Sequence, residues 1–505
     1  MPELQELLRD LPVEIQGDPT VDINSIVYDS RCASPGSLFV ALRGEHTDGH
    51  LYLADARTRG AVAALVEEWP NQATVQLPAI ARVADTRVAL ATLAARFYQF
   101  PAQSLGLVGV TGTDGKTTTT FLIDSILRAA GYRTGLIGTV AIRIGDTWYQ
   151  HDLRQTTPES LDVQRLLADM RAVNVEWAVL EATSHGLVLH RLDHCPFDIA
   201  VVTNVTQEHL DFHGTIENYR RAKGKLLEFV RDRGTRPYPT GIVLNADDEG
   251  ARSLAHFAGD TPILWYSTRK HAQLTADAIR VSTKGTAFRL HIGEQIADVT
   301  LQLIGPWNVE NALAAAGVGL LLGLPLEVIV RGLEQLTRVP GRFTKVDCGQ
   351  PFSVIVDYAH TPESFQRVLP LARQIATGRV IVVFGSAGER DRVKRRLQGM
   401  IAAQLADFAI LTSEDPRFED PWFIIDEIAE GMRSAGAREG QSYLRIEDRR
   451  TAIREALRRA QPGDIVLLLG KGHEQCIIYG NERRPWDELA EAQSALEDLG
   501  YRCSR

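Results

Sequence analysis

Short apolar runs recur through most of this chain, and between them lie stretches whose apolar positions return every three or four residues. That alternation predicts parallel sheets covered by helices, an α/β fold. It is clearest from Leu105 to Leu336, where "LGLVGV", "EWAVLEA", "DIAVVTNV" and "GIVLNAD" read as strands. It returns after the hinge-like "RVPGRF" with "SVIVDYAH", "RVIVVFGSAG", "FAILTSED" and "DIVLLLGKGHE". The opening block mixes short strands such as "SLFVAL" with the helix-like "HLYLADARTRGAVAAL", and "QFPAQSLG" reads as a linker. "RDRGTRPYPTG" predicts an exposed loop. The pattern divides the chain at 1–100, 101–338 and 339–505. In such sheets the carboxyl ends of the strands form the ligand face. The informative residues of the last two blocks sit there.

"GVTGTDGKTTTT", Gly109 to Thr120, lies between a buried strand and a helix that carries Leu122, Ile126 and Ala130 on one face and stops at Gly131. It departs from the strict Walker A spacing, because the expected first glycine position is Val110. The context still favours phosphate, since helix N-termini present free N–H groups and a positive dipole end. Lys116 would reach phosphate and the Thr117 hydroxyl would face Mg²⁺. Glu181 closes the strand "EWAVLEA" and is placed to hold that metal, or else is a surface acid. His209, in "TNVTQEHLDFHG", is a second candidate ligand, or a packed or surface histidine. In the helix-like "NYRRAKGKLLEF", Tyr219, Ala222 and Leu226 share a side, and Lys223 and Lys225 read most simply as solvated.

Composition changes the picture in few places. At 505 residues, roughly two to four domains are expected. The formal charge of −9 argues against a nucleic-acid coat. No apolar run reaches the roughly 20 residues that span a bilayer, and the N-terminus lacks an apolar export core. Cys32, Cys195, Cys348, Cys476 and Cys503 form no CxxC pair, which predicts reduced thiols and a cytoplasmic location.

Taken in order, "GTDGKT", "EATSHGL", "TNVTQEHLDFHG", "YRRAK", "GPWNVENALAA", "VPGRF" and "VDYAHTP" resemble the Mur ligase family, ATP-dependent amide-forming enzymes of cell-wall precursor synthesis. "VYDSR", "TTPES", "SHGL", "DPR" and "GKGHE" are similar to the member that adds the third peptide residue. The resemblance covers nearly the whole chain. It implies an N-terminal UDP-binding α/β domain, a central P-loop ATPase and a C-terminal Rossmann-like domain that closes over the amine. It implies that ATP phosphorylates the D-glutamyl carboxylate of UDP-N-acetylmuramoyl-L-alanyl-D-glutamate, and that a diamino acid then attacks the acyl phosphate. It also implies small-molecule partners only, with no nucleic acid and no membrane insertion, and a monomer.

By position, the resemblance assigns Gly112, Thr113, Asp114, Gly115, Lys116, Thr117 and Thr118 to ATP, with Asn308 and Asn311 at adenine, Arg342 at phosphate and Asp357 at the ribose. Glu181, His209 and Thr117 would hold Mg²⁺. Lys223 would join them as a carbamate formed with CO₂, which turns a repelling cation into an anion. Lys116, Lys223 and His209 are the implied catalytic groups, and His360 is a further candidate near the nucleotide. Ser30, Thr156, Thr157, Thr183 and Arg191 would hold the UDP-linked dipeptide. Arg390, Asp415, Arg417, Gly470 and Glu474 would hold the incoming amino acid.

Five positions depart from the family pattern. Asp114 replaces Asn in the loop, Thr183 replaces Ser, and Leu189 stands where Gln is common. "SEDPR" has Glu414 and Asp415 where the diaminopimelate-adding members read Asp and Asn, with Arg417 retained. Arg417 suits the carboxylate of meso-diaminopimelate. The added charge of Asp415 tilts toward a plain diamine such as L-lysine or L-ornithine, so both remain open. Rival readings are a folylpolyglutamate synthetase, a P-loop ATPase acting as motor or switch, and a nucleotide-binding paralogue without activity. "VYDSRCASPGSLFVALRG" argues against the first, and "DPR" with "GKGHE" against the second.

Overall fold

The computed structural model describes residues 1–44, 47–71, 75–149 and 155–503. The chain forms two compact units. One comprises Met1–Ala276, Leu290–Ala297 and Glu310–Leu333, and the other Asp277–Arg289, Asp298–Val309 and Glu334–Arg505.

The first unit holds two sheets. The smaller runs in the order Glu14–Gly17, Ala79–Arg82, Ala61–Val66, Ser37–Val40, Ser25–Val27, parallel except for its first pair. Its core is built on Leu4, Leu38, Leu65, Leu90 and Leu93. "HLYLADARTRGAVAAL" proves to be helix only over Leu53–Thr58, and its second half is the strand Ala61–Val66. Gly60, at φ +109, breaks the helix, and the alanine–valine run that follows is buried between neighbouring strands.

The larger sheet places Ile263–Ser267, Gly241–Asn245, Ile199–Val202, Gly106–Thr111, Trp177–Glu181 and Thr134–Ile137 side by side, all parallel. Strands buried on both faces are continuously apolar, which is why they stood out in the sequence. Helix Lys116–Ala129 follows the first of them in chain order, and Gly131 ends it at φ +92. Helix Ile216–Arg231 starts at Thr215, whose hydroxyl accepts from the N–H of Asn218 at 3.2 Å. Its buried side carries Tyr219, Ala222, Lys223, Leu226 and Leu227. The loop "RDRGTRPYPTG" is largely exposed as expected, yet Arg233 and Arg236 turn inward to the fully buried Asp198.

The second unit carries a six-stranded sheet in the order Thr344–Val346, Ser353–Asp357, Ile465–Leu469, Val380–Phe384, Phe408–Leu411, Tyr443–Arg445. All pairs but the first are parallel. Apolar clusters line both of its faces. Cys348 and Cys503 form a disulfide here, which corrects the expectation of five reduced thiols. A sequence separation of 155 residues gave no local sign that the C-terminal tail returns to Cys348. Cys32, Cys195 and Cys476 are free. No described helix is long and apolar enough to cross a membrane.

Helices Val393–Leu405 and Pro421–Ser434 cross at a pair of glycines. A Cβ on Gly399 would lie 2.1 Å from the carbonyl oxygen of Ile428, and one on Gly431 would lie 2.1 Å from that of Arg396. Both obstacles are backbone, so neither can swing aside. Gly399→Ala gains about 1 kcal/mol of helix propensity but must push the helices apart. A net loss of about 1–3 kcal/mol is expected, read as a lower midpoint in thermal unfolding; an unchanged or raised midpoint would contradict this close crossing.

Candidate active site

The central loop is shaped by its glycines. Gly112 and Gly115 adopt φ +151 and +83. A Cβ on Gly112 would meet Thr203 Oγ1 at 1.9 Å, and one on Gly115 would meet Asn311 Oδ1 at 2.4 Å. Gly115 caps helix Lys116–Ala129, so the loop faces the helix N-terminus. Thr118 is buried in the first turn of that helix. Thr113 Oγ1 shares a hydrogen bond with Tyr219 Oη at 3.0 Å and accepts from the N–H of Thr206 at 3.0 Å. Asp114 is exposed, and its main chain is what anchors the loop. Its carbonyl accepts from Thr203 Oγ1 (2.5 Å) and Asn204 Nδ2 (3.2 Å), and its N–H donates to Asn204 Oδ1 (2.9 Å).

Two lysines meet at this loop. Lys116 Nζ donates to the carbonyls of Gly112 (2.9 Å) and Thr113 (2.8 Å). Lys223 Nζ donates to the same Gly112 carbonyl at 2.7 Å and lies 4.5 Å from the centre of the Tyr219 ring. Lys223 is buried, which corrects its reading as a solvated residue. The amphipathic pattern of its helix places it on the inner face, a clue that its charge outweighed. Burial, then repulsion from Lys116, holds its amine well below the ordinary lysine range. Lys225, by contrast, is only partly buried and donates to the carbonyl of Leu187 at 3.4 Å.

Glu181 ends its strand buried, and Thr117 Oγ1 donates to it at 3.1 Å. Thr139, which the sequence reading missed, donates to the same carboxylate through its N–H (2.8 Å) and hydroxyl (2.9 Å). Thr117 and Glu181 therefore stand together as candidate metal donors. His209 takes a left-handed backbone, φ +54, and a half-exposed ring. Its ring neighbours are His185 at 4.8 Å and Tyr219 at 6.5 Å between centres, so His209 and Lys223 share Tyr219 as a neighbour. The adjacent His213 is buried and shares a hydrogen bond with Ser184 Oγ at 3.0 Å. Burial, then the two neighbouring histidines, pushes its imidazole down to about 4.

The expected acceptor-binding residues are connected to one another. Thr157 Oγ1 donates to the Glu181 carbonyl (2.8 Å) and shares a hydrogen bond with Thr183 Oγ1 (2.9 Å). Thr156 Oγ1 accepts from Thr139 (3.0 Å). Thr183 caps the short helix Ser184–Val188, and Leu189 follows at its end. Arg191 is buried and already matched, bonding Glu159 at 2.9 Å and the Thr157 carbonyl at 3.2 Å. Ser30 is buried at the start of the 3₁₀ turn Ser30–Cys32. Asn311, on helix Trp307–Leu321, accepts from Thr119 Oγ1 at 3.3 Å.

The second unit gathers the remaining candidates. Asn308 is buried and donates to the Ile304 carbonyl at 3.0 Å. Asp357 ends its strand and accepts from the N–H groups of Phe343 (2.6 Å) and Ala359 (2.8 Å). Burial raises its carboxyl above the ordinary range, against the opposing effect of Arg342. Arg342 lies 5.6 Å from the Tyr358 ring centre. His360 packs on Tyr358 at 4.6 Å and bonds its carbonyl.

At the neighbouring strand ends, Lys471 is fully buried and donates to Asp415 Oδ1 (2.8 Å) and Glu474 Oε2 (2.6 Å). The sequence reading passed over this lysine although it stands inside "GKGHE". It is shared between the two carboxylates, so the charge of Asp415 is offset in part and no longer argues by itself for a plain diamine. Glu414 is buried beside Gly470, whose Cβ would lie 2.6 Å from Glu414 Oε2. Arg417 takes φ +54 and is pinned by main-chain bonds to Ile478 (2.9 Å) and Gly480 (2.7 Å). Arg390 is exposed ahead of helix Val393–Leu405.

Lys223 makes a stability prediction with a definite sign. Between its depressed value and the ordinary 10.5, the unfolded chain holds a proton there that the folded chain lacks, so stability rises with pH across that window. Lys223→Met removes this dependence. In CO₂-free buffer it is expected to stabilise the protein most at neutral pH, with the gain shrinking toward pH 10.5. Denaturant melts at both ends of the window measure it, and a gain independent of pH would mean that Lys223 titrates normally.

Three family descriptions match the chain in order: "Mur ligase family, catalytic domain" over residues 22–98, "Mur ligase middle domain" over 110–319, and "Mur ligase, glutamate ligase domain" over 341–472. The chain is 49% identical to a UDP-N-acetylmuramyl-tripeptide synthetase of Roseiflexus sp. (strain RS-1), with 99% of each chain covered. It is 44% identical to a UDP-N-acetylmuramoyl-L-alanyl-D-glutamate–2,6-diaminopimelate ligase of Geobacillus kaustophilus, covering 99% of this chain and 100% of that one. A solved structure of a ligase of the latter name superposes with a TM-score of 0.68 at 31% identity, over 99% of each chain. With a glycine-shaped loop at a helix N-terminus, a buried lysine beside it and a cluster of buried charges at the strand ends of the second unit, this chain belongs to the Mur ligase family.

Proposed function

We propose that the protein joins meso-diaminopimelate to UDP-N-acetylmuramoyl-L-alanyl-D-glutamate at the expense of ATP, forming ADP and phosphate, in peptidoglycan precursor synthesis. The observation that carries the choice of amine is the Lys471–Asp415–Glu474 cluster. Its single cation sits between two carboxylates, and Arg417 stands on the same loop as Asp415. A pocket with both signs of charge suits a zwitterionic far end, which meso-diaminopimelate has and L-lysine or L-ornithine lacks. The names of the relatives agree with this reading.

In the proposed mechanism, Lys116 exchanges its two carbonyl partners for phosphate oxygens and draws charge from the transferring group. Thr117, Glu181 and His209, with Lys223 once carbamylated, would hold Mg²⁺, which offsets the charge where phosphate and carboxylate meet. A lysine amine held below its ordinary range has the free electron pair that CO₂ requires, so the burial of Lys223 supports the carbamate. Thr156, Thr157, Thr183 and Arg191 would line the dipeptide site, Ser30 the uridine nucleotide, and Asn308, Asn311, Arg342 and Asp357 the ATP. The working domains are 1–100, 101–338 and 339–505. We place the protein in the cytoplasm as a monomer acting on small molecules.

A ligation assay with a panel of amino acids and mass detection tests the reaction. Meso-diaminopimelate is expected to be used best, and better use of L-lysine or L-ornithine would overturn the choice of amine. Lys116→Ala is expected to lower kcat by at least about 100-fold. Arg417→Lys keeps the charge but loses the fork, and is expected to raise the KM for the amine about 10-fold or more.

A further inference from the structure

The two loops that carry the amine-pocket candidates leave the second unit's sheet from strands that do not touch. Phe408–Leu411 leads to Glu414, Asp415 and Arg417, and Ile465–Leu469 leads to Gly470, Lys471 and Glu474. Val380–Phe384 lies between the two strands, so no single ladder of backbone bonds sets the separation of the loops.

Lys471 already reaches across to Asp415 at 2.8 Å, and a second buried side chain, from a third element, ties together the bases of the two loops. Arg449 opens helix Arg449–Arg459, and its side chain is fully buried. Its Nη1 donates to the carbonyl of Ser413 at 3.3 Å, and Nη2 to the carbonyl of Leu469 at 2.8 Å. Those are the residues from which the two loops depart. Nε and Nη2 grip the Glu488 carboxylate at 2.9 and 2.6 Å. Glu488 is equally buried and also accepts from the indole N–H of Trp486 at 2.6 Å. All three guanidinium nitrogens are therefore engaged. The preceding turn adds to the clamp: Glu447 Oε1 accepts from Ser413 Oγ (3.0 Å) and Tyr479 Oη (3.1 Å), and its carbonyl accepts from the N–H of Ser413 (3.1 Å).

Building on the amine pocket proposed above, we infer that Arg449, with Glu488 as its counter-ion, is a positioning residue for the incoming amino acid. It fixes the spacing between the Glu414–Arg417 loop and the Gly470–Glu474 loop without touching substrate. A planar fork that reaches two carbonyls and a carboxylate at once is a task for arginine and not for lysine.

Arg449→Met alone would strand a buried carboxylate and risks unfolding the unit. The test therefore uses Arg449→Met/Glu488→Met, which removes both charges together, and Arg449→Lys, which keeps the counter-charge but cannot make every bond. The KM of each substrate is measured for both variants and for the unmodified protein, with whichever amine the latter uses best. Failure of the unmodified protein to ligate any amine would refute the proposed function, and would be seen before any variant is compared. The expected result is an amine KM raised about tenfold or more, with the KM of ATP and of the nucleotide-dipeptide within about twofold. Three unchanged KM values would overturn the inference, and so would three that rise in parallel. If the double variant does not fold, Arg449→Lys decides by the same criterion; if neither folds, the role of Arg449 is structural and the inference falls.

Discussion

Two lysine amines converge on one peptide oxygen, the carbonyl of Gly112, and the loop around it is shaped to accept both. Bringing two like charges together inside a protein is costly, and burial with mutual repulsion lowers the proton affinity of Lys223. The loop is held partly by its own Thr113 and Lys116 side chains and partly by the strand beside it. The parallel pairing of Ile199–Val202 with Gly106–Thr111 brings Thr203 and Asn204 under the loop, where they hold the main chain of Asp114. This accounts for a carboxylate at a position where phosphate is expected. The anchoring is done by the peptide group of Asp114, whose side chain is exposed.

Elsewhere the buried charges come with partners. Glu181 accepts three hydrogen bonds from Thr117 and Thr139, Arg191 is matched by Glu159, and Lys471 lies between Asp415 and Glu474. Desolvated charges are tolerated only when paired and hydrogen-bonded. One consequence reaches function: Asp415 cannot be counted as a free negative charge beside the amine, because it shares the Lys471 ammonium with Glu474.

The strands were legible because parallel sheets bury both faces and so leave unbroken apolar runs in the sequence. The phosphate loop was legible because its glycines, lysine and threonine are contiguous. Less could be read where a residue's environment comes from distant segments. From its residues alone Lys223 read as solvated, and only the family resemblance gave it a role; its burial became visible once its helix was seen packed with that face inward. Thr139 carried no local sign of Glu181, 42 residues away, nor Lys471 of Asp415, 56 residues away, although its other partner Glu474 stands three residues on. The strand Ala61–Val66 read as helix, since alanine favours helix by itself and only its place between two strands decides otherwise.

The sequence by itself determined the α/β class, the order of the strands along the chain, and the motifs that mark a nucleotide-dependent ligase. These depend on local composition and short spacings, which the linear chain contains in full. Only the tertiary structure decided the state of each charge: an Asp415 paired with Lys471, a buried Lys223, an Arg191 already matched, a Cys348 joined to Cys503. The energy of a charge or a thiol depends on what lies within a few ångströms of it, and in this fold those neighbours come from strands and loops far apart in the chain.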